Sequence, residues 1–359
     1  MAVYENPDFG HLPAGLDQLF AAAGELSFFS HSGWYDVLAR HGLTQGARSR
    51  LYADAGSGVA LACQVAGDGP GQAGRSLKSL SSFYSCEHAV LLGTTAPADA
   101  ALVRLVAEIA GERPAWDTIV IDALDPADRS FAGLAAAFRG AGMLVKPFFD
   151  AGTWYDDTSG LSFDDYLAQR PSALRNTWRR KTAKLNRSGR LRWSFYGAPS
   201  SVEPGIADYE AIYQASWKRA EPFPDFMPAL MRFAAEVGAL RLGVIHCDGQ
   251  PAAAQFWIVW RGKACIYKLA HDERFDELSL GTLLTMRMME RVLEQDRPAE
   301  VNFGRGDDPY KRLWFSQRRE RWGLSAANPR TLRGLHLAAR QIASRVVRRF
   351  RAGEPVPPA

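Results

Sequence analysis

Apolar residues alternate or recur at helical spacing along most of the chain, and the clearest stretch runs from Ala239 to Phe315. Three β-rich runs open it: Leu240 to His246, Ala253 to Trp260 and Ala264 to Leu269. Their joints, Asp248-Gly249-Gln250 and Arg261-Gly262-Lys263, are short and centred on Gly, so the runs predict an antiparallel meander. A polar segment, His271 to Ser279, leads into Leu280-Gly281-Thr282 and a helical pattern through Met286, Met289, Val292 and Leu293. A further strand is expected over Glu300 to Phe303. The helix starts just after a strand and a loop, so its unpaired N–H groups make the Ser279 to Thr282 turn a candidate anion cradle. Gly281 permits close approach of the backbone. The bland alternative is a plain cap, which a Ser at a helix start also provides.

Upstream, Ser30 to His41 reads as a helix, Arg50 to Ala53 and Val59 to Ala66 as strands, and Asp68 to Gly74 as a Gly-rich hairpin tip. That tip lacks the closing Lys-Ser/Thr of a phosphate loop. After Leu77 to Leu92, which includes a Ser-rich run, come a helix over Pro97 to Gly111, a strand over Thr118 to Ile121, a helix over Ala127 to Gly140 and a strand over Met143 to Phe149. The second half opens near Asp150. It is expected to hold a long helix, Phe163 to Ser188, broken at Pro171, then a strand over Leu191 to Tyr196 and helices over Ala207 to Lys218 and Phe226 to Val237. A charged edge strand, Ser316 to Ser325, precedes the tail. The two halves share one alternation of strands and helices, the signature of two related units.

A length of 359 residues suits two domains, and 47% hydrophobic with 23% charged residues is the composition of a globular protein. Cys63, Cys86, Cys247 and Cys265 are scattered, which argues for reduced thiols and against structural zinc. Neither a secretion signal nor an apolar run of about 20 residues is found, so a cytoplasmic protein is expected. The net charge of +4 is unevenly spread. From Arg330 onward seven arginines meet one acid, Glu354, and nine basic residues run from Arg170 to Arg192 with none. Acidic partners are expected at those two places. In the tail, Leu332, Leu335, Ala339, Ile342, Val346 and Phe350 form an apolar stripe opposed by Arg, the pattern of a helix lying on an anionic membrane surface. The competing reading is a helix packed on an acidic body.

The segment Asn302-Phe303-Gly304-Arg305-Gly306-Asp307-Asp308-Pro309-Tyr310-Lys311 resembles the CelD-like branch of the GNAT superfamily, related to the FemAB peptidyl-transferases. In that branch a strand ends in an acidic, Gly-rich turn followed by Tyr-Lys. The resemblance extends through Trp154 to Leu185 and Ser216 to Phe226, and more narrowly the chain resembles bacterial ceramide synthases. It implies a mixed α/β (α+β) fold of two tandem GNAT-like units, residues 1–150 and 151–327, followed by a basic amphipathic tail, 328–359.

The resemblance implies an acyl-CoA donor, its pyrophosphate held at Ser279, Leu280, Gly281 and Thr282 with Lys268 nearby, and its carbonyl met by backbone N–H groups of Tyr267 to His271. Acyl transfer to an amine needs a neutral amine, an oxyanion donor and a proton for the leaving thiolate. Asp307 is the candidate for polarising the amine, with capping of the helix near Pro309 as the alternative. His271 is a candidate base. Tyr310 would protonate the thiolate, and Lys311 would pair with Asp307 or a donor phosphate. Glu221, Trp217 and Lys218 are candidate acceptor contacts, although Trp178, Trp217 and Trp314 at helical spacing also read as core. The cradle holds one Gly where GNAT enzymes have more, which leaves acyl carrier protein or aminoacyl-tRNA open as donors. The basic helix suits any of these polyanions. The expected activity is N-acylation of an amino-lipid, plausibly a sphingoid base, by a peripheral enzyme on the inner face of the membrane. The alternatives are transfer to an amino-sugar, peptidoglycan or exopolysaccharide precursor, and an idle carrier-binding or membrane-binding adaptor. No metal and no DNA partner is expected.

Overall fold

The structure is a computed structural model that describes residues 1–66, 74–93 and 97–349, apart from the side chains at 186 and 341–349. Except for Gly74, the hairpin tip expected over Asp68 to Gly74 lies outside the described residues, as do the tail residues beyond 349. The chain forms two compact units: Met1–Gly152 together with Glu320–Ala359, and Thr153–Arg319.

In the first unit the chain runs through β1 (Ala2–Glu5), α1 (Ala14–Leu26), α2 (Ser32–His41), β2 (Arg48–Asp54), β3 (Val59–Val65), β4 (Ser76–Ser79), β5 (Leu91–Leu92), α3 (Ala98–Gly111), β6 (Thr118–Leu124), α4 (Arg129–Gly140) and the start of β7 (Leu144–Asp157). Strands β1, β2, β3 and β4 pair antiparallel in sequence order, and β4 then pairs parallel with β6. Helices α3 and α4 bury Leu102, Leu105, Ile109, Leu134 and Phe138 against that sheet. β1 and α1 have no counterpart in the expectations above. α1 lacks a side-chain cap, and its start is marked in the sequence only by Pro13 and by Asp17 in the first turn.

The second unit takes up the end of β7 and continues through α5 (Phe163–Ala168), α6 (Ser172–Ser188), β8 (Leu191–Tyr196), α7 (Val202–Gln214), α8 (Phe226–Glu236), β9 (Leu240–Cys247), β10 (Gln250–Trp260), β11 (Lys263–His271), α9 (Leu280–Gln295) and β12 (Glu300–Asn302). The break at Pro171 is present: a Ser162–Asp165 capping box starts α5, and α6 begins afresh at Ser172. β8, β9, β10 and β11 form the antiparallel meander, with Asp248 and Gly249, then Arg261 and Gly262, at positive φ in the two turns. Met286, Met289, Val292 and Leu293 bury one face of α9. At Gly243 the absent side chain admits Met288 of that helix.

The expected boundaries need correction at the C-terminal end. β13 (Gln317–Ala327) does not close the second unit as its edge; from Trp322 to Ala327 it pairs antiparallel with β6 of the first. The final helix, α10 (Leu332–Arg349), likewise belongs to the first unit instead of standing as a separate tail. Gly334 and Ala338, one turn apart, are buried, and a Cβ on Gly334 would overlap the Asn328 carbonyl and lie 2.8 Å from that of Asp117. Leu332 (90% exposed) and Leu335 (52%) face solvent. The helix therefore docks through its small residues, and both of these leucines stay outside.

Within the second unit a buried ion pair joins Arg170, before α6, to Asp156 of β7 at 3.0 Å. Arg170 and Tyr166 also donate to the Trp314 carbonyl, and Asp156 accepts from Ser316 N–H at 2.7 Å. Removing one partner of such a pair strands a buried charge. Asp156→Ala is expected to cost about 3–5 kcal/mol, read as a lower midpoint of urea unfolding. A midpoint unchanged within error would show that the pair does not hold this unit.

Candidate functional site

The site begins where two strands part. β11 and β12 run parallel but pair only from Lys263 opposite Glu300 to Cys265 opposite Asn302. β12 then ends, while β11 continues to His271 and, among the described residues, no strand pairs with it on that side. On its other side the register with β10 shifts after Phe256, which makes Tyr267 the extra residue of a bulge. Such a bulge kinks a strand and re-aims its backbone. Tyr267, Lys268 and Leu269 are half-buried, so this parted edge is reachable.

The turn after β12 forms one wall. Gly304 and Gly306 take positive φ, which lets the chain double back. Lys311 is buried (4% exposed), and its Nζ donates to the carbonyls of Arg305 and Gly306 at 3.1 Å and to that of Phe303 at 3.5 Å. It also pairs with Asp308 at 3.1 Å. One ammonium thus gathers the whole turn. Lys311 does not pair with Asp307 as the sequence suggested. Asp307 accepts from Trp154 Nε1 and Arg318 Nε, both at 2.8 Å, and Arg318, followed by Trp154, holds its carboxyl below the usual range. Asp308, not Asp307, precedes the short 3-10 helix Pro309–Leu313, and its side chain makes no capping bond. Tyr310 rests edge-on against Phe303, and burial, with the Asp308 charge adding, pushes its phenol up to about 12. It therefore stays protonated at neutral pH, as a proton donor must.

A second wall is the connection between α7 and α8. Its Glu221 accepts from Lys268 of β11 at 3.0 Å, so both are already paired, and Lys268 is not an unengaged donor contact. Lys218 is half-buried and lies over the rings of Tyr213 and Trp217, 5.7 and 5.8 Å from their centroids. Trp217 is 49% exposed and its ring lies 4.4 Å from that of His271 at a 46° tilt, so it is not a core residue, whereas Trp178 and Trp314 are buried.

The third wall is the start of α9. Leu280 is its first residue and Gly281 its second, with Gly281 and Thr282 half-buried. Ser279 stands before them at φ 56°, a conformation rare for Ser, and makes no side-chain cap. Instead its hydroxyl accepts from Lys181 Nζ of α6 at 2.7 Å, and the same Nζ donates to the Glu277 carbonyl at 2.6 Å. Helix N-terminus and ammonium together favour an anion. His271 Nε2 meets Asp276 at 2.8 Å, and its other nitrogen lies about a van der Waals distance from where a Cβ on Gly281 would stand.

The structure thus brings Ser279 to Thr282, His271 and Trp217 together at the end of β11, and Lys218, Glu221, Lys268, Asp308 and Lys311 close enough that their charges act on one another. Lys181, Trp154, Arg318 and Tyr213 were not foreseen as site residues. Lys181 was visible only as one charge in a basic run, and nothing in that run set it apart. Among the described residues no group of three or more His, Cys, Asp or Glu is placed to hold a metal ion, and no helix is long and apolar enough to cross a membrane. A cavity of about 270 Å³ lies elsewhere, between β8, the start of β9 and the end of α9, and contains none of the predicted site residues.

Residues 172–312 match the family model described as an acetyltransferase (GNAT) domain. No curated protein matches the chain in sequence. Among solved structures it is similar to FemX, at 10% identity over 90% of this chain and 97% of that one, with a TM-score of 0.58. It is also similar to L-PGS from Bacillus licheniformis, at 11% identity over 91% and 96%, TM-score 0.52. A conserved protein of unknown function from Bacteroides thetaiotaomicron gives 10% identity over 82% and 90%, TM-score 0.54. At such identities the likeness establishes the fold alone. Together with the family match, it identifies residues 172–312 as a GNAT acetyltransferase domain within a mixed α/β fold.

Lys311→Met keeps the buried stem but leaves the carbonyls of Arg305 and Gly306 without their donor. A loss of about 2–4 kcal/mol in unfolding free energy is expected, since each buried group left unpaired costs about 1–3 kcal/mol. Unchanged stability would place the lysine's role in chemistry alone.

Proposed function

We propose that the second unit transfers an acyl or aminoacyl group from a phosphate-bearing carrier to an acceptor amine. The observation that carries this reading is the meeting of the parted β11 edge with the start of α9, where Lys181 already stands. A carrier phosphate fits the N-terminus of α9, with the acyl carbonyl against the bulged backbone at Tyr267. Tyr310 is the proton source for the leaving group. Asp307, ionised and fixed by Trp154 and Arg318, orients the amine by charge and is a poor proton acceptor. Among carriers, the family match supports acyl-CoA; acyl carrier protein and aminoacyl-tRNA share its phosphates, and exposed Arg179, Arg180, Lys184 and Arg187 on α6 suit all three.

For the acceptor we favour an amino-lipid, a sphingoid base yielding a ceramide-type product, reached from the cytoplasmic face of an anionic membrane. The support is α10, where Leu332 and Leu335 are exposed on an arginine-rich helix. A second reading is transfer to an amino-sugar, peptidoglycan or exopolysaccharide precursor. The FemAB resemblance and the backbone likeness to FemX favour it.

Two experiments test these readings. Purified protein incubated with labelled acyl-CoA, acyl carrier protein or aminoacyl-tRNA and a panel of amines should form an amide with one carrier. Lys181→Ala should weaken binding of that carrier about tenfold, the scale of one charge-assisted contact, without lowering the melting temperature. Carrier binding without any transfer would instead mark an adaptor. Because α10 docks on the first unit, the membrane reading is better tested by Leu332→Ser/Leu335→Ser than by truncation. The double variant should lose pelleting with anionic vesicles and keep transfer to a soluble short-chain amine; undiminished pelleting overturns the membrane reading.

A further inference from the structure

We infer that Lys218 accepts the proton of the attacking amine in the reaction proposed above, an assignment that rests on that reaction. Three lysines converge beside the parted strand: Lys218 from the α7–α8 connection, Lys268 from β11 and Lys311 from the turn after β12. Lys268 is matched by Glu221, and Lys311 by Asp308 and backbone carbonyls. Among the described residues, Lys218 Nζ has neither a carboxylate nor a hydrogen-bond partner. Aromatic faces flank it, contacts that favour an ammonium only weakly at such distances.

The surroundings disfavour a third positive charge. Burial, then the neighbouring Lys268, pushes Lys218 down to about 8; Lys311 acts in the same direction, Glu221 and Asp308 against it. Tyr213, whose phenol burial and Glu221 push upward, closes the α7 side, and the His271 ring lies tilted against the adjacent Trp217 at 4.4 Å. A lysine so placed is about half neutral at pH 8, whereas an aliphatic amine substrate arrives almost wholly as ammonium.

The step balances as follows. Neutral Lys218 takes one proton from the acceptor ammonium, and the freed lone pair attacks the acyl carbon. The C–N bond forms and the bond from that carbon to the carrier's sulfur or oxygen breaks. Tyr310 gives its proton to the leaving atom and regains one from the new amide nitrogen. Lys218 returns its proton to solvent.

Transfer by the full chain, followed from pH 6 to 10, should rise through pH 8, because the active form is the deprotonated one. In Lys218→Gln the rate at pH 8 should fall about 100-fold or more, the scale of general base catalysis, and the rising limb should move to the acceptor amine's own pKa. Ethylamine should restore part of the lost rate. Lys218→Arg, which keeps the charge but cannot shed it, should behave alike. Lys268→Met should move the wild-type limb to higher pH and Glu221→Gln to lower pH. Independently of transfer, acetic anhydride labelling of Lys218 read by mass spectrometry should show a midpoint near 8. A wild-type chain inactive with every carrier overturns the proposed function. An active chain whose limb is unmoved in Lys218→Gln, or a labelling midpoint at the ordinary lysine value of about 10.4, overturns this assignment alone.

Discussion

A strand that stops after three residues opens the second unit. Had β12 continued beside β11, their backbones would have satisfied each other and left nothing for a ligand. Beyond its early end the chain is gathered by a buried ammonium, that of Lys311, bound to the carbonyls of the turn and to Asp308. Every other feature of the site takes its position from this opening: the bulge at Tyr267, the start of α9 and the connection bearing Lys218.

The meander, the α9 start and the break at Pro171 were legible because short-range chemistry dictates them: turns at positive φ, an apolar stripe at helical spacing, and a ring without an N–H. The end of β7 and the destination of β13 were not, since pairing partners lie far apart in sequence and alternation says nothing about which strand will be met. α10 was read as a lipid-facing stripe, while the face that docks is Gly334 and Ala338, two small residues whose value lies in what they leave out.

The site was legible in its residue types and less so in its pairings. Asp307, Tyr310 and Lys311 were singled out, but adjacent carboxylates give no hint of which one the lysine chooses. Here Lys311 takes Asp308 within its own turn, and Arg318 and Trp154 take Asp307 from two distant segments. Lys181 shows the same limit: in a run of basic residues, only tertiary contact sets apart the one that reaches Ser279. The low proton affinity of Lys218 is likewise a property of its neighbours.

The two units are not consecutive in the chain. The first is built from residues on both sides of the second, with β13 returning to pair with β6 after about 190 intervening residues. During synthesis, then, the second unit is fully made before the first receives its β13 and α10. The second unit can settle early, and the first unit closes as the last step. A ribosome that stops short would release a chain whose GNAT core is complete but whose first sheet still shows an unpaired β6 edge, the kind of surface on which chains aggregate.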